Sequence, residues 1–175
     1  MNRMKLRILF ALFVLFFLPI VAGAQMGKKD NGLKNQYRNI EVVKFDVKEG
    51  IDFPPDYVTG IIYETIMGLQ RLRKFEQVFR EGETQTDAAV STIRLTGTVI
   101  KYQPGSRTKR YLIGLGAGKT RIVTHIKFID KATGKTLYET DASGAVSWGY
   151  FGGNSRVSLS GLGKKIAEIT KHEFF

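Results

Sequence analysis

The residues whose types suggest chemistry most directly form a glycine-rich run that ends in Gly118, Lys119 and Thr120. A phosphate-binding loop requires another glycine five positions before Gly118, and that position holds Ile113. It also requires a helix directly after the lysine, so that the helix N-terminus meets the phosphate. The alternating pattern of residues 120–129 instead predicts a strand. We therefore expect no nucleotide and no other cofactor to bind here.

The residues needed for other common reactions are scarce. The sequence contains no cysteine, which excludes disulfides, thiolate catalysis and cysteine-ligated metals. Its two histidines, His125 and His172, lie far apart and form no local metal-binding motif. His125 alternates with strand residues and is interpreted as a structural imidazole. The pattern favours a protein that is not an enzyme and holds no metal.

Two segments combine cations, aromatic residues and glycines in an unusual way. Residues 101–111 precede the glycine-rich run, and residues 148–153 form a second such segment. This composition suits contact with a lipid interface or with another chain. The alternative is that the aromatic side chains fold back over the core while the cations are solvated. The candidate contact residues are Arg107, Lys109, Arg110, Tyr111, Trp148, Tyr150 and Phe151.

Hydrophobic periodicity predicts one small α+β domain with the element order β-α-β-β-β-β-α. Two helices packed on one face of a mainly antiparallel sheet is the economical arrangement of such elements. Arg94, Lys101 and Arg121 could form a basic face on the sheet, and the interpretation adopted is that this face is merely solvated. The predicted strands cover residues 40–47, 75–80, 89–102, 120–129 and 136–147. One helix of roughly 18 residues is predicted to begin near Asp56 and to hold Arg73 and Lys74 in its last turn, and a second covers about 156–171.

The predicted hairpin brings the two unusual segments together. If its turn centres near Ala132 and Thr133, antiparallel pairing places Lys119 opposite Ser147. The strand that ends near residue 102 reaches the same edge of the sheet. Residues 103–119 and 148–154 are therefore predicted to share one end of the sheet.

The N-terminal residues 1–24 have the organisation of a signal peptide. A basic start precedes an apolar run over residues 8–21 and the small residues Ala22 and Ala24. The run is shorter than the roughly 20 residues of a membrane span, and retention as an uncleaved anchor is the alternative. Residues 25–38 are polar and predict a flexible leader, followed by the domain at 39–175. Export places this domain in the periplasm, with peripheral association with the outer membrane as a further option.

The run from Tyr102 to Lys119 resembles a bacterial family known as domain of unknown function 4410, and so do residues 128–137 and 151–153. Members of that family are exported proteins, often lipoproteins, without an assigned activity. The resemblance implies a fold similar to the periplasmic domains of the curli-secretion lipoprotein and of the outer-membrane activators of penicillin-binding proteins. Because the chain has no cysteine, it departs from the lipoprotein members.

The net charge of +11 indicates anionic partners, and export argues against nucleic acid. We expect a non-enzymatic envelope protein that acts as a binding or assembly module for another envelope protein. One alternative is a peripheral protein that binds an anionic lipid or lipopolysaccharide surface through residues 103–119 and 148–154. A less favoured alternative is a hydrolase with an unrecognised carboxylate site. The identity of the partner and the oligomeric state stay open.

Overall fold

A computed structural model describes residues 32–83, 91–105, 120–145 and 156–175. These residues form six strands and two helices, which confirms the predicted α+β fold. The elements in chain order are β1 (Asn39–Val42), β2 (Asp46–Val47), α1 (Pro55–Leu72), β3 (Gln77–Arg80), β4 (Thr92–Gln103), β5 (Arg121–Asp130), β6 (Thr136–Ala145) and α2 (Arg156–Phe174).

The strands form one mixed sheet in the order β3-β1-β4-β5-β6, with β2 also paired to β4. The long pairings of β4 with β5 and of β5 with β6 are antiparallel. The short pairings of β1 with β3, β1 with β4 and β2 with β4 are parallel. Parallel neighbours need a crossover connection, and α1 supplies the one between β1 and β3. The mainly antiparallel sheet of the prediction thus has a parallel part at one side.

The first predicted strand, at residues 40–47, is interrupted between β1 and β2. Within the interruption Phe45 is only 1% exposed, and its ring lies against Gly97 of β4. A Cβ atom at Gly97 would be 2.9 Å from a carbon of this ring, so the ring fits because that position has no side chain. The interruption also changes the inward-facing set. Val42 is fully buried, whereas Val43, which the alternation places inward, is only half-buried.

The two helices pack against each other and on the same face of the sheet. α1 buries Ile61 and Leu69, and α2 buries Leu162 and Ile166, as the periodicity predicts. The helices approach closely at Gly163, where a Cβ atom would lie 2.4 Å from the carbonyl oxygen of Glu64. The two helices therefore contact each other through their backbones at Gly163 as well as through these buried side chains.

The segment before β1 belongs to the domain and is not part of a flexible leader that reaches residue 38. Tyr37 is 8% exposed, and its hydroxyl donates a hydrogen bond of 2.8 Å to Oδ2 of Asp130. Its ring packs edge-to-face on Phe174, with ring centroids 6.2 Å apart. The backbone N–H of Asn35 also donates to the carbonyl oxygen of Phe174, at 2.8 Å. Although most of this segment is polar, the aromatic side chain of Tyr37 is part of the hydrophobic core.

The predicted signal peptide and most of the predicted leader lie in residues 1–31, which are outside the described residues. Their boundaries therefore stay predictions. Among the helices of the described ranges, none combines the length and the apolar character needed to cross a membrane.

Candidate contact surface at the loop end of the sheet

Three strand termini meet at one end of the sheet, which we call the loop end. β4 ends at Gln103, which pairs with Arg121 at the start of β5. Arg121 in turn pairs with Ala145 at the end of β6. Adjacent strands lie about 4.8 Å apart, so the ends of β4 and β6 are separated by about 10 Å. The chain therefore leaves the sheet for both unusual segments from neighbouring points.

All seven predicted contact residues lie outside the described residues, and their positions stay predictions. The described strands supply only the register on which the prediction depends. The pairing of Arg121 with Ala145 has the register that the predicted placement of Lys119 opposite Ser147 requires. The residues concerned are Arg107, Lys109, Arg110, Tyr111, Trp148, Tyr150 and Phe151.

A hydrogen bond closes the base of the segment between β4 and β5. The backbone N–H of Gly105 donates to the hydroxyl oxygen of Thr120, at 3.1 Å. This bond holds together the two chain ends from which residues 106–119 emerge. The closed base restricts where the predicted contact residues of this segment can lie, because it fixes both of its ends.

An aromatic cluster of Phe53, Tyr57 and Tyr102 lies beside the loop end. Tyr102, near the end of β4, lies edge-to-face against Phe53 and Tyr57, with ring centroids 5.0 Å and 6.2 Å away. Phe53 and Tyr57 contact each other in the same way at 5.7 Å. Such pairs stabilise by about 0.5–1.5 kcal/mol beyond the area they bury. Sequence analysis missed this cluster, because Phe53 precedes α1 and its contact with Tyr102 joins two segments that are distant along the chain.

Burial raises the pKa of Tyr102, and the neighbouring Tyr57 and Asp52 raise it further. The Tyr102 hydroxyl is therefore neutral at physiological pH and can donate a hydrogen bond. The described part of the loop end carries both signs of charge, from Lys101 and Arg121 on one side and Asp52 and Asp56 on the other. Its predicted cationic character depends on the cations of residues 106–119.

The sheet face away from the helices carries cross-strand ion pairs. His125 Nδ1 lies 2.7 Å from Oδ1 of Asp141, and Lys127 Nζ lies 3.1 Å from Oε2 of Glu139. The His125 side chain is 34% exposed, on a flat surface. The structural interpretation of this imidazole agrees with its place in the ion-pair ladder. The described ranges contain no group of three or more histidine and acidic side chains that could hold a metal ion.

Arg94 is partly exposed but is also paired with a buried carboxylate, which the sequence interpretation did not include. Its Nε donates to Oε2 of Glu41 at 2.8 Å, and Lys131 Nζ donates to Oε1 at 3.0 Å. Burial raises the pKa of Glu41, but the hydrogen bonds from Arg94 and Lys131 outweigh burial and leave the pKa below its usual value. This cluster is structural, because both oxygens of the carboxylate are already bound.

The described residues define a small α+β domain in which three strand ends meet at one end of the sheet. Residues 65–149 match the family described as domain of unknown function DUF4410, which confirms the resemblance that the sequence predicts. The predicted similarity to the curli-secretion lipoprotein and the penicillin-binding-protein activators stays a prediction. No curated protein matches the chain.

Solved structures share the fold at low sequence identity. The PelC dodecamer from Paraburkholderia phytofirmans is 16% identical, covers 77% of this chain and 87% of its own, and has a TM-score of 0.51. A PelC variant dodecamer from the same organism gives a TM-score of 0.52 at 14% identity, covering 78% and 86%. A Xanthomonas campestris protein of family DUF330 has a TM-score of 0.50 at 9% identity, covering 81% and 84%. These likenesses establish the fold alone.

Proposed function

We propose that this protein is an exported, non-enzymatic envelope module that binds or assembles with another envelope protein through its loop end. The predicted signal peptide supports export, and the match to a family without an assigned activity agrees with a role other than a known reaction. The sheet face away from the helices carries the pairs His125 with Asp141 and Lys127 with Glu139, and under this proposal both pairs are structural.

The observation that carries the proposal is the alignment of Gln103, Arg121 and Ala145 across three neighbouring strands. Two segments rich in aromatic residues, cations and glycines begin within about 10 Å of each other at that edge. Aromatic residues and arginine are enriched in the residues that dominate protein–protein binding energy. A partner that fits such a surface presents acidic side chains around an apolar pocket.

A second copy of the chain is one candidate partner. PelC, which shares the fold, forms a dodecamer in its crystals. The assembly role proposed here includes self-association, and sedimentation analysis of the purified protein distinguishes it from binding to a different protein.

The test is affinity recovery from detergent-solubilised envelopes after cross-linking in living cells. The loop variant carries Arg107→Gln, Lys109→Gln and Arg110→Gln, and the matched control carries Lys44→Gln, Lys135→Gln and Lys164→Gln, three exposed lysines elsewhere in the domain. We expect the loop variant to lose its specific partner by at least about tenfold, since charges in an interface affect both the rate and the strength of association. The control variant should recover the partner as the wild type does.

Equal recovery of every cross-linked protein by the wild type and both variants contradicts the proposed contact surface. A loss in the control variant equal to that in the loop variant assigns the effect to net charge, and it also contradicts the proposal. Circular dichroism spectra of all three proteins establish that the variants are folded.

A further inference from the structure

The end of the sheet opposite the loop end, which we call the far end, gathers exposed cations from three parts of the chain. α1 ends there at Leu72, and α2 ends there at Phe174. The turn before β1 joins them, because the N–H of Asn35 donates to the carbonyl oxygen of Phe174. Five exposed cations lie around these two helix ends, and we call them the far-end cations: Lys34, Arg71, Arg73, Lys74 and Lys171.

The acidic side chains at the far end do not neutralise these cations. Glu76 forms an ion pair with Arg38. The Glu173 side chain is only 15% exposed, and its Oε1 lies 2.8 Å from Nδ1 of His172. Within the described ranges, none of the far-end cations has a carboxylate partner. An excess of unpaired positive charge at one place raises the local concentration of anions.

An aromatic pair lies at the centre of this group. Phe75 follows α1 and contacts Phe175 edge-to-face, with ring centroids 5.1 Å apart. Lys74 Nζ lies 5.7 Å from the centroid of the Phe175 ring. Both rings are only partly buried against the core. The far end therefore combines two partly exposed aromatic rings with cations, and this combination suits contact with an anionic bilayer surface.

Helix capping explains only part of this charge. Arg71 and Lys171 lie in the last turns of α1 and α2, where the helix dipole favours cations. Lys34 and Lys74 lie outside both helices, and Arg73 follows α1 in a left-handed conformation at φ 52°. Because Arg73 caps α1 and Lys74 follows it directly, the dipole of α1 favours these two cations as well, and Lys34 is the one of the five that lies outside this explanation.

We propose that the far end is a binding site for an anionic phospholipid surface, separate from the loop end. A single-stranded nucleic acid is the less suitable occupant, because it needs free aromatic faces on which bases stack. Here Phe75 and Phe175 pack on each other, and Lys74 lies over the Phe175 ring. Held by its far end, the domain directs the loop end away from the membrane and towards a partner.

The test is sedimentation of the full exported protein with vesicles of phosphatidylglycerol mixed with phosphatidylcholine, and with vesicles of phosphatidylcholine alone. The far-end variant carries Arg71→Gln, Lys74→Gln and Lys171→Gln, and the control of equal charge carries Lys44→Gln, Lys48→Gln and Lys164→Gln, three exposed lysines away from the far end. Each cation near an anionic surface contributes about fivefold to binding. We therefore expect the far-end variant to bind the anionic vesicles roughly 100-fold more weakly than the wild type, with a much smaller loss in the control. Binding should weaken as salt increases.

Equal binding of the far-end variant and the wild type, or an equal loss in the control, overturns the proposal. Tighter binding to a short single-stranded DNA than to the anionic vesicles, lost in the same variant, replaces the lipid with a nucleic acid. The loop variant Arg107→Gln, Lys109→Gln and Arg110→Gln is tested with the same vesicles, so that failure of this proposal can be distinguished from failure of the proposed function. If that variant alone loses vesicle binding, the lipid contact lies at the loop end and the far-end assignment is wrong.

Discussion

Glu41 lies in the middle of β1 with only 4% of its surface exposed, and each of its carboxylate oxygens binds a different cation. Arg94 comes from the neighbouring strand, and Lys131 comes from the turn between β5 and β6. Lys131 also lies 5.3 Å from the centre of the Phe79 ring. A single acidic residue thus connects the parallel part of the sheet to the end of the hairpin.

Replacing Glu41 with glutamine should lower the free energy of unfolding by about 1–2 kcal/mol. The change leaves Arg94 and Lys131 without their anionic partner, although the partial exposure of both cations limits the loss. Urea denaturation measures the effect. Glu139→Gln is the control, because its carboxylate is half exposed and exposed surface pairs contribute little to stability. Equal effects of the two substitutions would show that burial of the Glu41 pair adds nothing.

The effect of Glu41→Gln on the free energy of unfolding should depend on pH. Because the pKa of Glu41 in the folded protein lies below the usual value of 4.5, its charge stabilises the fold above that pH. This stabilisation is lost as the pH falls through the lower folded-state value. The stability difference between the wild type and Glu41→Gln should therefore shrink on acidification below about pH 4.5. A difference that grows on acidification contradicts this assignment.

At the scale of elements, the contact between α1 and α2 depends on the absence of a side chain at Gly163. The helices lie so close that a Cβ atom there would meet the backbone of Glu64, which cannot move without shifting α1. By contrast, a Cβ at Gly60 of α1 meets the side-chain methyl of Leu159 at 2.5 Å, and a methyl group can rotate away. A substitution at Gly163 therefore tests a clash with the backbone, and a substitution at Gly60 tests a clash with a side chain.

Gly163→Ala should lower the free energy of unfolding by about 1–2 kcal/mol. Overpacking costs about 1–3 kcal/mol, and the better helix propensity of alanine recovers at most about 1 kcal/mol. Gly60→Ala gains the same propensity and should cost clearly less. Thermal denaturation of both variants checks the prediction. A larger loss for Gly60→Ala would mean that the helices separate easily at Gly163.

Periodicity predicts most of these elements because they bury one face over several turns or strand residues. The bounds of α1 and the buried sides of β4 and β5 follow from the spacing of apolar residues such as Ile61, Leu95 and Ile126. The break at Phe45 and the anchoring of Tyr37 do not follow from local spacing. Each depends on a partner far along the chain, Gly97 for the one and Asp130 with Phe174 for the other.

The candidate contact surface also has one part that local sequence patterns predict and another that they do not. The meeting of strand ends at Gln103, Arg121 and Ala145 follows from hairpin register, which turn position and alternation determine. The aromatic support from Phe53 and the ion pairs of Arg94 depend on tertiary contacts between separate segments, so the sequence pattern alone did not indicate them.

At the scale of the whole domain, β5 separates the two ends by its length. Its ten residues span about 33 Å, with Arg121 at the loop end and Asp130 beside the turn that contains Lys135. The account assigns a partner protein to the loop end and an anionic membrane surface to the far end. An adaptor between a membrane and a second protein needs such a separation of its two contacts.

Distances between spin labels test the central claim, that residues 106–119 and 146–155 share the loop end. The chain has no cysteine, so pairs of introduced cysteines can be labelled without background. We predict that labels at Arg110→Cys and Tyr150→Cys lie closer together than labels at Arg110→Cys and Lys135→Cys, measured by pulsed electron paramagnetic resonance. A longer separation for the first pair than for the second would contradict the account.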